Sequence, residues 1–164
     1  MSPSRILVLL SIPVLAAACG GSSPQPASSA APPDTSVQIK TATVTVGGQS
    51  KTVLTDGSGL TLYWYSPDYA NKVNCLGTCA SNWPPVLAPL GDPVPAKGVS
   101  LPGKLSAILG GNGRQVEYNG HPLYRFLKDS APGQATGQGL SNGQWQVATP
   151  DLTAASPAPT PTPS

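Results

Sequence analysis

Two cysteines, Cys75 and Cys79, lie close together near the middle of the chain. The residues between them are Leu, Gly and Thr, and a turn at the glycine would bring the two Cα atoms within the roughly 4.4–6.8 Å that a disulfide accepts. The same thiols could instead form a redox pair or a metal site. However, the spacing differs from the Cys-x-x-Cys redox motif, and His121 is the one imidazole that could join a zinc or copper site. The spacing therefore favours a local disulfide with a structural role.

Few residues of this chain are of the types that catalyse reactions. His121 lies between Gly120 and Pro122 in a predicted hairpin turn, where an exposed histidine without a function is the ordinary expectation. The sequence contains no Gly-x-Ser-x-Gly, Ser-x-x-Lys or His-Glu-x-x-His motif. Asp68 and Asp129 could form a carboxylate pair, but their separation in sequence does not set their distance in space. We therefore expect no enzymatic activity, no cofactor and no bound metal.

Two short aromatic segments, each followed by an aspartate, could bind a ligand or form a core. In the first, alternation along a strand places Tyr63 and Tyr65 on one face and Leu62 and Trp64 on the other, so both faces are apolar. One interpretation is a buried strand with hydrogen-bonded tyrosine hydroxyls, in which the aspartate accepts backbone N–H bonds in the following turn. The other is an exposed face whose rings stack on a sugar or quinone-like ring while the carboxylate accepts hydrogen bonds. The candidate binding residues are Tyr63, Tyr65, Asp68, Tyr124, Phe126 and Asp129.

These two segments belong to an internal repeat. Residues 59–68 match residues 120–129 at an offset of 61, in a glycine, a leucine, a tyrosine, a second aromatic residue and an aspartate. Further along the chain, Trp83 and Trp145 correspond at an offset of 62. Each copy is too small to fold alone, so the sequence predicts that the two copies pack together into one sheet structure or sandwich.

The repeated segments resemble a family of bacterial lipoproteins with a repeated Tyr-x-(Phe/Trp/Tyr)-x-x-Asp motif, sometimes called secreted repeats of unknown function. Both copies fit this motif, as Tyr63-x-Tyr65-x-x-Asp68 and Tyr124-x-Phe126-x-x-Asp129. Other segments similar to the family are Cys75-x-x-x-Cys79-Ala80-x-x-Trp83-Pro84-Pro85, residues 115–124, and Gly133-x-x-x-Gly137-Gln138-Gly139. The resemblance covers most of residues 50–151. It implies no particular biochemistry, because the function of the family is unknown.

The elements that must position these residues are short strands. Runs rich in Val, Thr, Tyr and Trp are separated by Gly-Gly, Asp-Gly and Asn-Gly pairs, a pattern typical of antiparallel hairpins. The sequence therefore predicts an all-β domain over residues 36–153, in which two repeats, roughly 50–90 and 112–151, form a small antiparallel sheet or sandwich. The predicted strands are 37–46, 51–55, 60–65, 115–118, 122–127 and 144–148, with at most one short helix, over 102–109.

The N-terminus has the features of an exported lipoprotein. Arg5 precedes an uncharged, mostly apolar run that ends in three alanines, and Cys19 follows directly, which resembles a bacterial lipobox. We expect residues 1–18 to be a signal peptide and the Cys19 thiol to carry diacylglycerol. Two or three acyl chains would anchor the mature protein stably to the cell membrane, on its extracytoplasmic side.

Charge and composition describe the rest of the chain. The formal net charge of +2 falls to +1 if Arg5 is removed with the signal peptide, and there is no basic run, so binding to nucleic acid is not expected. Residues 19–35 and 154–164 consist mainly of Gly, Ser, Thr, Pro and Ala. Because such segments bury little apolar surface, the first is expected to be a flexible stalk and the second a disordered tail.

The sequence thus indicates a lipid-anchored protein of the cell envelope that binds a small ligand or an envelope component through its aromatic and aspartate residues. We expect no catalysis by this protein. The alternative is a redox or metal-handling accessory protein of the envelope built on Cys75 and Cys79, with His121 as a further ligand.

Overall fold

The computed structural model describes residues 36–159. Cys19, the predicted signal peptide and the predicted stalk lie outside the described residues, as do residues 160–164 of the predicted tail. The described part of the chain forms short strands and two short helices. In chain order these are β1 (Gln38–Val46), β2 (Gln49–Thr55), β3 (Tyr63–Tyr65), α1 (Thr78–Asn82), β4 (Val94–Pro95), β5 (Leu105–Gly110), β6 (Gly113–Tyr118), β7 (His121–Pro122), α2 (Leu140–Gly143) and β8 (Trp145–Val147).

The strands form three small sheets within residues 36–159. The first has the order β2-β1-β4, in which β1 and β2 form an antiparallel hairpin and β4 pairs in parallel with the start of β1. The second joins β3 to β8 in antiparallel fashion, and the third has the order β5-β6-β7. The prediction of an all-β, two-repeat domain is confirmed, with two short helices instead of at most one.

The helix predicted over residues 102–109 is wrong, because Leu105–Gly110 is strand β5. This strand forms an antiparallel hairpin with β6, and its residues Leu105 and Ala107 pack against the core. The hairpin pairs the backbone of the segment with β6 and half-buries Leu105, Ala107 and Ile108, which decides the conformation in favour of a strand. The two helices instead lie after the aromatic segments in the sequence. Neither helix within residues 36–159 is long and apolar enough to cross a membrane.

Strands occur in all six segments predicted to contain them, but the two aromatic segments are less regular than expected. In the first, β3 covers only Tyr63–Tyr65, and in the second, β7 covers only His121–Pro122. Tyr124 forms single bridges to Tyr63 and Pro85 instead of belonging to a longer strand. The two aromatic segments therefore lie directly beside each other in the middle of the domain.

The core consists of two buried clusters, one on each face of β3. Tyr63 and Tyr65 contact the first cluster, which also contains the repeated tryptophans, whereas Leu62 and Trp64 contact the second. The alternation predicted from the sequence is confirmed, and both faces of the strand pack against apolar side chains. The repeated aromatic residues are thus central to the hydrophobic core.

The second repeat contributes a backbone segment to the first. The Leu54 N–H donates to the Ala148 carbonyl at 2.7 Å, and the Ala148 N–H donates to the Leu62 carbonyl at 2.8 Å. Ala148 follows β8, so the end of the second repeat bonds to two segments of the first, which are also bonded to each other from Leu62 N to Leu54 O at 2.9 Å. The hydrogen bonding of this part of the first repeat is therefore incomplete without the second.

The first repeat makes the corresponding contribution to the second. The Val116 N–H donates to the Val86 carbonyl at 2.8 Å, and the Val86 N–H donates to the Leu123 carbonyl at 3.0 Å. These bonds match those of Ala148, since Val86 is its counterpart at the offset of 62 that also relates the two tryptophans. The repeats are interlocked, with an approximate two-fold axis between them, which we call the pseudo-two-fold axis.

The ordered domain continues past its predicted end at residue 153. The Ala155 N–H donates to the Asn119 carbonyl at 2.9 Å, and the Ala70 N–H donates to the Ser156 carbonyl at 2.9 Å. A further single bridge, parallel, joins Ala70 to Pro157. The first residues of the segment predicted to be a disordered tail are therefore bound to both repeats.

Candidate functional site

The tyrosine and the aspartate of the repeated motif are bonded across the repeats. The Tyr63 hydroxyl donates to Asp129 Oδ2 at 2.5 Å, and the Tyr124 hydroxyl donates to Asp68 Oδ2 at 2.7 Å. The backbones of the two tyrosines are also paired, at 2.8 Å from Tyr63 N to Tyr124 O and 2.9 Å from Tyr124 N to Tyr63 O. Each copy of the motif is therefore completed by the other copy.

Each aspartate also holds the loop that follows its own motif. Asp68 Oδ1 accepts the Asn74 N–H at 2.7 Å. Asp129 Oδ1 accepts the Thr136 N–H at 3.1 Å and the Thr136 hydroxyl at 2.5 Å. Asn74 and Thr136 correspond at the offset of 62, so the two carboxylates serve the same purpose. One oxygen binds the other repeat, and the second oxygen closes the local turn.

These motif residues are buried. Tyr63 and Tyr124 have no exposed surface, and Asp68 and Asp129 are 6% and 4% exposed. The structure therefore corresponds to the buried interpretation of the motif, in which the hydroxyls are hydrogen-bonded and the aspartates accept N–H bonds in turns. None of these four residues lies on an exposed face. Their side-chain oxygens form hydrogen bonds within the domain and do not face a ligand.

Burial controls the protonation of these groups. Burial, and then the hydrogen bond to Asp129, raises the pKa of Tyr63. Burial, and then the charge of Asp68, raises the pKa of Tyr124. Burial also raises the pKa of Asp68, an effect opposed by the hydrogen bond from Tyr124. Both tyrosines therefore remain protonated donors at neutral pH, as a structural pairing requires.

Two rings from each repeat form a four-ring stack, in the order Tyr65, Trp145, Trp83, Phe126. The two central tryptophans are nearly parallel, with ring centroids 3.7 Å apart and an interplanar angle of 4°. The outer rings lie at 4.4 Å on the side of Tyr65 and at 4.3 Å on the side of Phe126. Rings of the first and second repeats alternate, so the stack is symmetric about the pseudo-two-fold axis.

The stack lines a groove of about 360 Å³, which we call the axial groove. Of the six candidate binding residues, Tyr65 and Phe126 line it and the other four do not. Tyr65 is half-buried, whereas Phe126 is 8% exposed. In addition to the four rings, the lining residues are Thr78, Cys79, Asn82, Lys128 and Ser141.

The first repeat closes its loop with the predicted disulfide. Cys75 and Cys79 are bonded, and their Cα atoms lie 5.2 Å apart, within the expected range. Cys75 is buried, whereas Cys79 is half-buried at the axial groove. In the second repeat Gly137 and Ser141 occupy the corresponding positions, at the offset of 62. The loops on the two sides of the groove therefore differ chemically.

His121 is not the exposed turn residue that the sequence predicts. It is 8% exposed, its ring lies against that of Trp64 with centroids 4.6 Å apart, and its Nε2 is 3.0 Å from the Thr153 carbonyl. Burial lowers the pKa of His121, which favours the neutral ring with Nε2–H as donor. Within residues 36–159, no cluster of three or more His, Cys, Asp or Glu residues has a geometry that could hold a metal ion.

The polar residues of the axial groove were not predicted from the sequence. They are Thr78, Asn82, Lys128 and Ser141. Their residue types are common on protein surfaces, and nothing in their spacing marks them as a set. One signal was present, because the offset that relates Trp83 to Trp145 also relates Cys79 to Ser141. Extending the repeat alignment into these loops would have placed Ser141 opposite a candidate functional cysteine.

Two interlocked copies of one motif define the class of this protein as a duplicated-repeat domain. A family model described as a secreted repeat of unknown function matches the chain twice, over residues 44–87 and 107–149. The chain belongs to this family, and the description of the family indicates an extracellular location. No curated protein and no solved structure gives a significant match to the chain.

Proposed function

We propose that this protein is a lipid-anchored binding protein of the bacterial cell envelope, which holds its ligand in the axial groove and catalyses no reaction. One observation carries the proposal: rings from both repeats meet in a single stack that lines a groove with a polar rim. An apolar floor with a few polar groups is the usual composition of a small-molecule site. The buried tyrosines and aspartates, by contrast, bond to one another and support this floor.

Anchoring is proposed from the position of Cys19 after three alanines, together with membership in a family described as secreted. The test is the mass of the mature protein purified from bacterial membranes. We expect residues 1–18 to be absent and Cys19 to carry acyl chains, and we expect Cys19→Ser to move the protein to the soluble fraction. An unmodified Cys19 in membrane-bound protein would contradict the proposal.

Binding is tested by sedimentation of the mature chain carrying Cys19→Ser with insoluble cell-envelope material. We expect Tyr65→Ala to lower the affinity about tenfold, because aromatic stacking contributes roughly 0.5–1.5 kcal/mol beyond burial. Tyr65→Phe, which introduces the ring of the counterpart Phe126, is expected to bind like the wild type. Thermal unfolding of each variant checks that the fold is intact. Equal sedimentation of wild type and Tyr65→Ala would rule out the groove as the site.

A second candidate function is that of a redox accessory protein, favoured by the position of Cys79 at the axial groove. In this case the disulfide would open and close during function. Thiol titration after equilibration with a glutathione buffer separates the two candidates. If Cys75 and Cys79 stay oxidised, the bond is structural. If they titrate as free thiols while the fold persists, the redox role is supported.

The metal-handling form of this alternative requires His121 to join the two thiols. Its ring lies against Trp64, and its Nε2 is directed at the Thr153 carbonyl. The side chain would have to leave both partners to reach a metal bound elsewhere. Metal analysis of the purified protein tests this form, and a stoichiometric zinc or copper content would favour it over the binding function.

A further inference from the structure

The axial groove has a positive charge. Lys128 is the one charged side chain among its lining residues, it is exposed, and neither of the ion pairs found within residues 36–159 involves it. The next residue, Asp129, is turned into the core, where its oxygens bind Tyr63 and Thr136. The nearest carboxylate in sequence therefore has other partners, and the Lys128 ammonium group is available to an anion.

Neutral polar groups line the same groove. Thr78, Asn82 and Ser141 are exposed, and each has a side chain that can both donate and accept hydrogen bonds. Asn82 Nδ2 donates to the Thr78 carbonyl at 3.0 Å, which orients the amide and leaves its oxygen as an acceptor. A ligand on the aromatic floor would thus meet three neutral polar side chains and one cation.

The backbone at Ser141 provides an independent indication. Ser141 and the next residue, Asn142, have φ values of +55° and +56°, a region that non-glycine residues rarely adopt. Two hydrogen bonds hold this turn, from Gly143 N to Gly139 O at 2.9 Å and from Gln144 N to Ser141 O at 3.2 Å. Strained backbone of this kind is concentrated at binding sites and is retained when the surrounding structure enforces it. It lies here at the edge of the axial groove.

We infer that the axial groove binds an acidic sugar, whose ring stacks at Tyr65 and whose anionic group pairs with Lys128. This inference rests on the proposed binding function and names its ligand class. A sugar ring has an apolar C–H face for the aromatic floor and hydroxyls around its edge for Thr78, Asn82 and Ser141. A quinone-like ring has two acceptors and would leave most of these groups unused. The volume of about 360 Å³ lies within the range of small-ligand pockets.

The test uses the mature chain carrying Cys19→Ser and two probes, a trimer of galacturonic acid and an uncharged trimer of galactose. Binding is followed by tryptophan fluorescence, since Trp83 and Trp145 both line the groove. We expect the acidic trimer to bind about tenfold more tightly, because its carboxylate forms a charge-assisted hydrogen bond with Lys128. This preference should shrink as the salt concentration rises.

Matched variants identify the groups responsible. Lys128→Gln is expected to reduce the affinity for the acidic trimer to that for the neutral one. Lys97→Gln removes the same charge from an exposed residue outside the groove and should change nothing. Tyr65→Ala should weaken binding of the acidic trimer about tenfold, and Tyr65→Phe should preserve it.

Three results would overturn the inference: equal affinities for the two trimers, an unchanged affinity in Lys128→Gln, or no binding of either trimer. Sedimentation with envelope material then shows whether only the ligand class is wrong or the proposed binding function as well. If the protein still sediments in a manner that depends on Tyr65, only the ligand class is wrong and the proposed function stands. If Tyr65→Ala has no effect there either, both are wrong.

Discussion

The loops that follow the two motif aspartates have the same starting point and different chemistry. In the first repeat, Asp68 anchors a loop that a disulfide between Cys75 and Cys79 then closes. In the second, Asp129 anchors a loop without a covalent link, which passes close to the aromatic stack at Gly137. Both loops continue into a short helix beside the axial groove.

This difference distinguishes the core of the domain, where the repeats match, from the axial groove, where they do not. The Tyr–Asp bonds, the exchanged backbone segments and the aromatic stack are matched between the repeats, whereas the groove edges are not. At the offset of 62, Ser141 stands where the first repeat has Cys79. At the offset of 61, Lys128 stands where the first repeat has Pro67. The duplicated residues thus form a symmetric core beneath the groove. The residues that differ between the loops make the two sides of the groove unequal, and Lys128 gives one side a positive charge.

Among the predictions made here, a side chain at Gly137, in the second loop, should have the largest effect on the stability of the domain. A Cβ at this position would lie 2.7 Å from Trp83 Cη2 and 3.0 Å from Tyr63 Cε1. Because both rings are packed in the core, Gly137→Ala is expected to lower the free energy of unfolding by about 3 kcal/mol. Gly57→Ala is the control, since a Cβ there meets only a backbone oxygen at 3.9 Å. Urea unfolding measures both, and a loss at Gly137 no larger than the loss at Gly57 would contradict the packing described.

Removing the disulfide should make the first loop resemble the second. In the double variant Cys75→Ala, Cys79→Ser, position 79 has a serine, the residue type that Ser141 provides at the corresponding position of the second repeat. In the chain-entropy model a bond that closes so short a loop contributes about 2 kcal/mol, and the double variant is expected to lose that amount in urea unfolding. An unchanged stability would mean that the hydrogen bonds of Asp68 are sufficient to hold the loop. Reduction of the wild type should reproduce the result.

The exchange of partners between the repeats predicts which residues are coupled. In a double-mutant cycle, Tyr63→Phe and Asp129→Asn should be coupled by about 1.5 kcal/mol, because they share a buried hydrogen bond. Tyr63→Phe and Asp68→Asn, which belong to the same motif copy, should be additive within roughly 0.5 kcal/mol. Unfolding of the three single and two double variants in denaturant gives these energies. Stronger coupling within a copy than between copies would contradict the exchange.

The sequence predicted the local part of this fold. Hairpin strands such as β1 and β2 are set by their residue types and by the Gly-Gly pair between them, which are local signals. Strand β5 was mistaken for a helix because its sequence lacks a strong period, and pairing with β6 decided its conformation. The order of the sheets and the exchange of segments such as Ala148 depend on contacts between distant residues, which one sequence does not reveal.

The candidate site shows the same division. Alternation along the strand placed Tyr63 and Tyr65 on one face, and the spacing of the cysteines predicted their bond. Whether that face was buried depended on the other repeat, whose Asp129 binds the Tyr63 hydroxyl. Lys128 lines the groove because the aspartate after it turns inward, a tertiary effect with no signal in composition.

His121 offers the smallest effect and a further asymmetry, because its counterpart in the first repeat is Leu60. Burial lowers the pKa of His121 below its ordinary value of 6.5, so the unfolded chain takes up a proton more readily than the folded one. The stability contributed by this residue is therefore fully present above pH 6.5. It is lost as the pH falls through that value towards the pKa of the folded state.

The measurement is the free energy of unfolding between about pH 7.5 and 5.5 for the wild type and for His121→Gln. The wild type is expected to lose more stability on acidification than the variant. Burial raises the pKa of Asp68 and of Glu117, so these carboxyl groups make the folded state more stable as the pH falls, opposite to the effect of His121. Both groups are present in the wild type and in the variant. Their contributions cancel in the difference between the two curves. Parallel curves would show that the buried ring takes up its proton as readily in the folded domain as in the unfolded chain, contrary to its packing against Trp64.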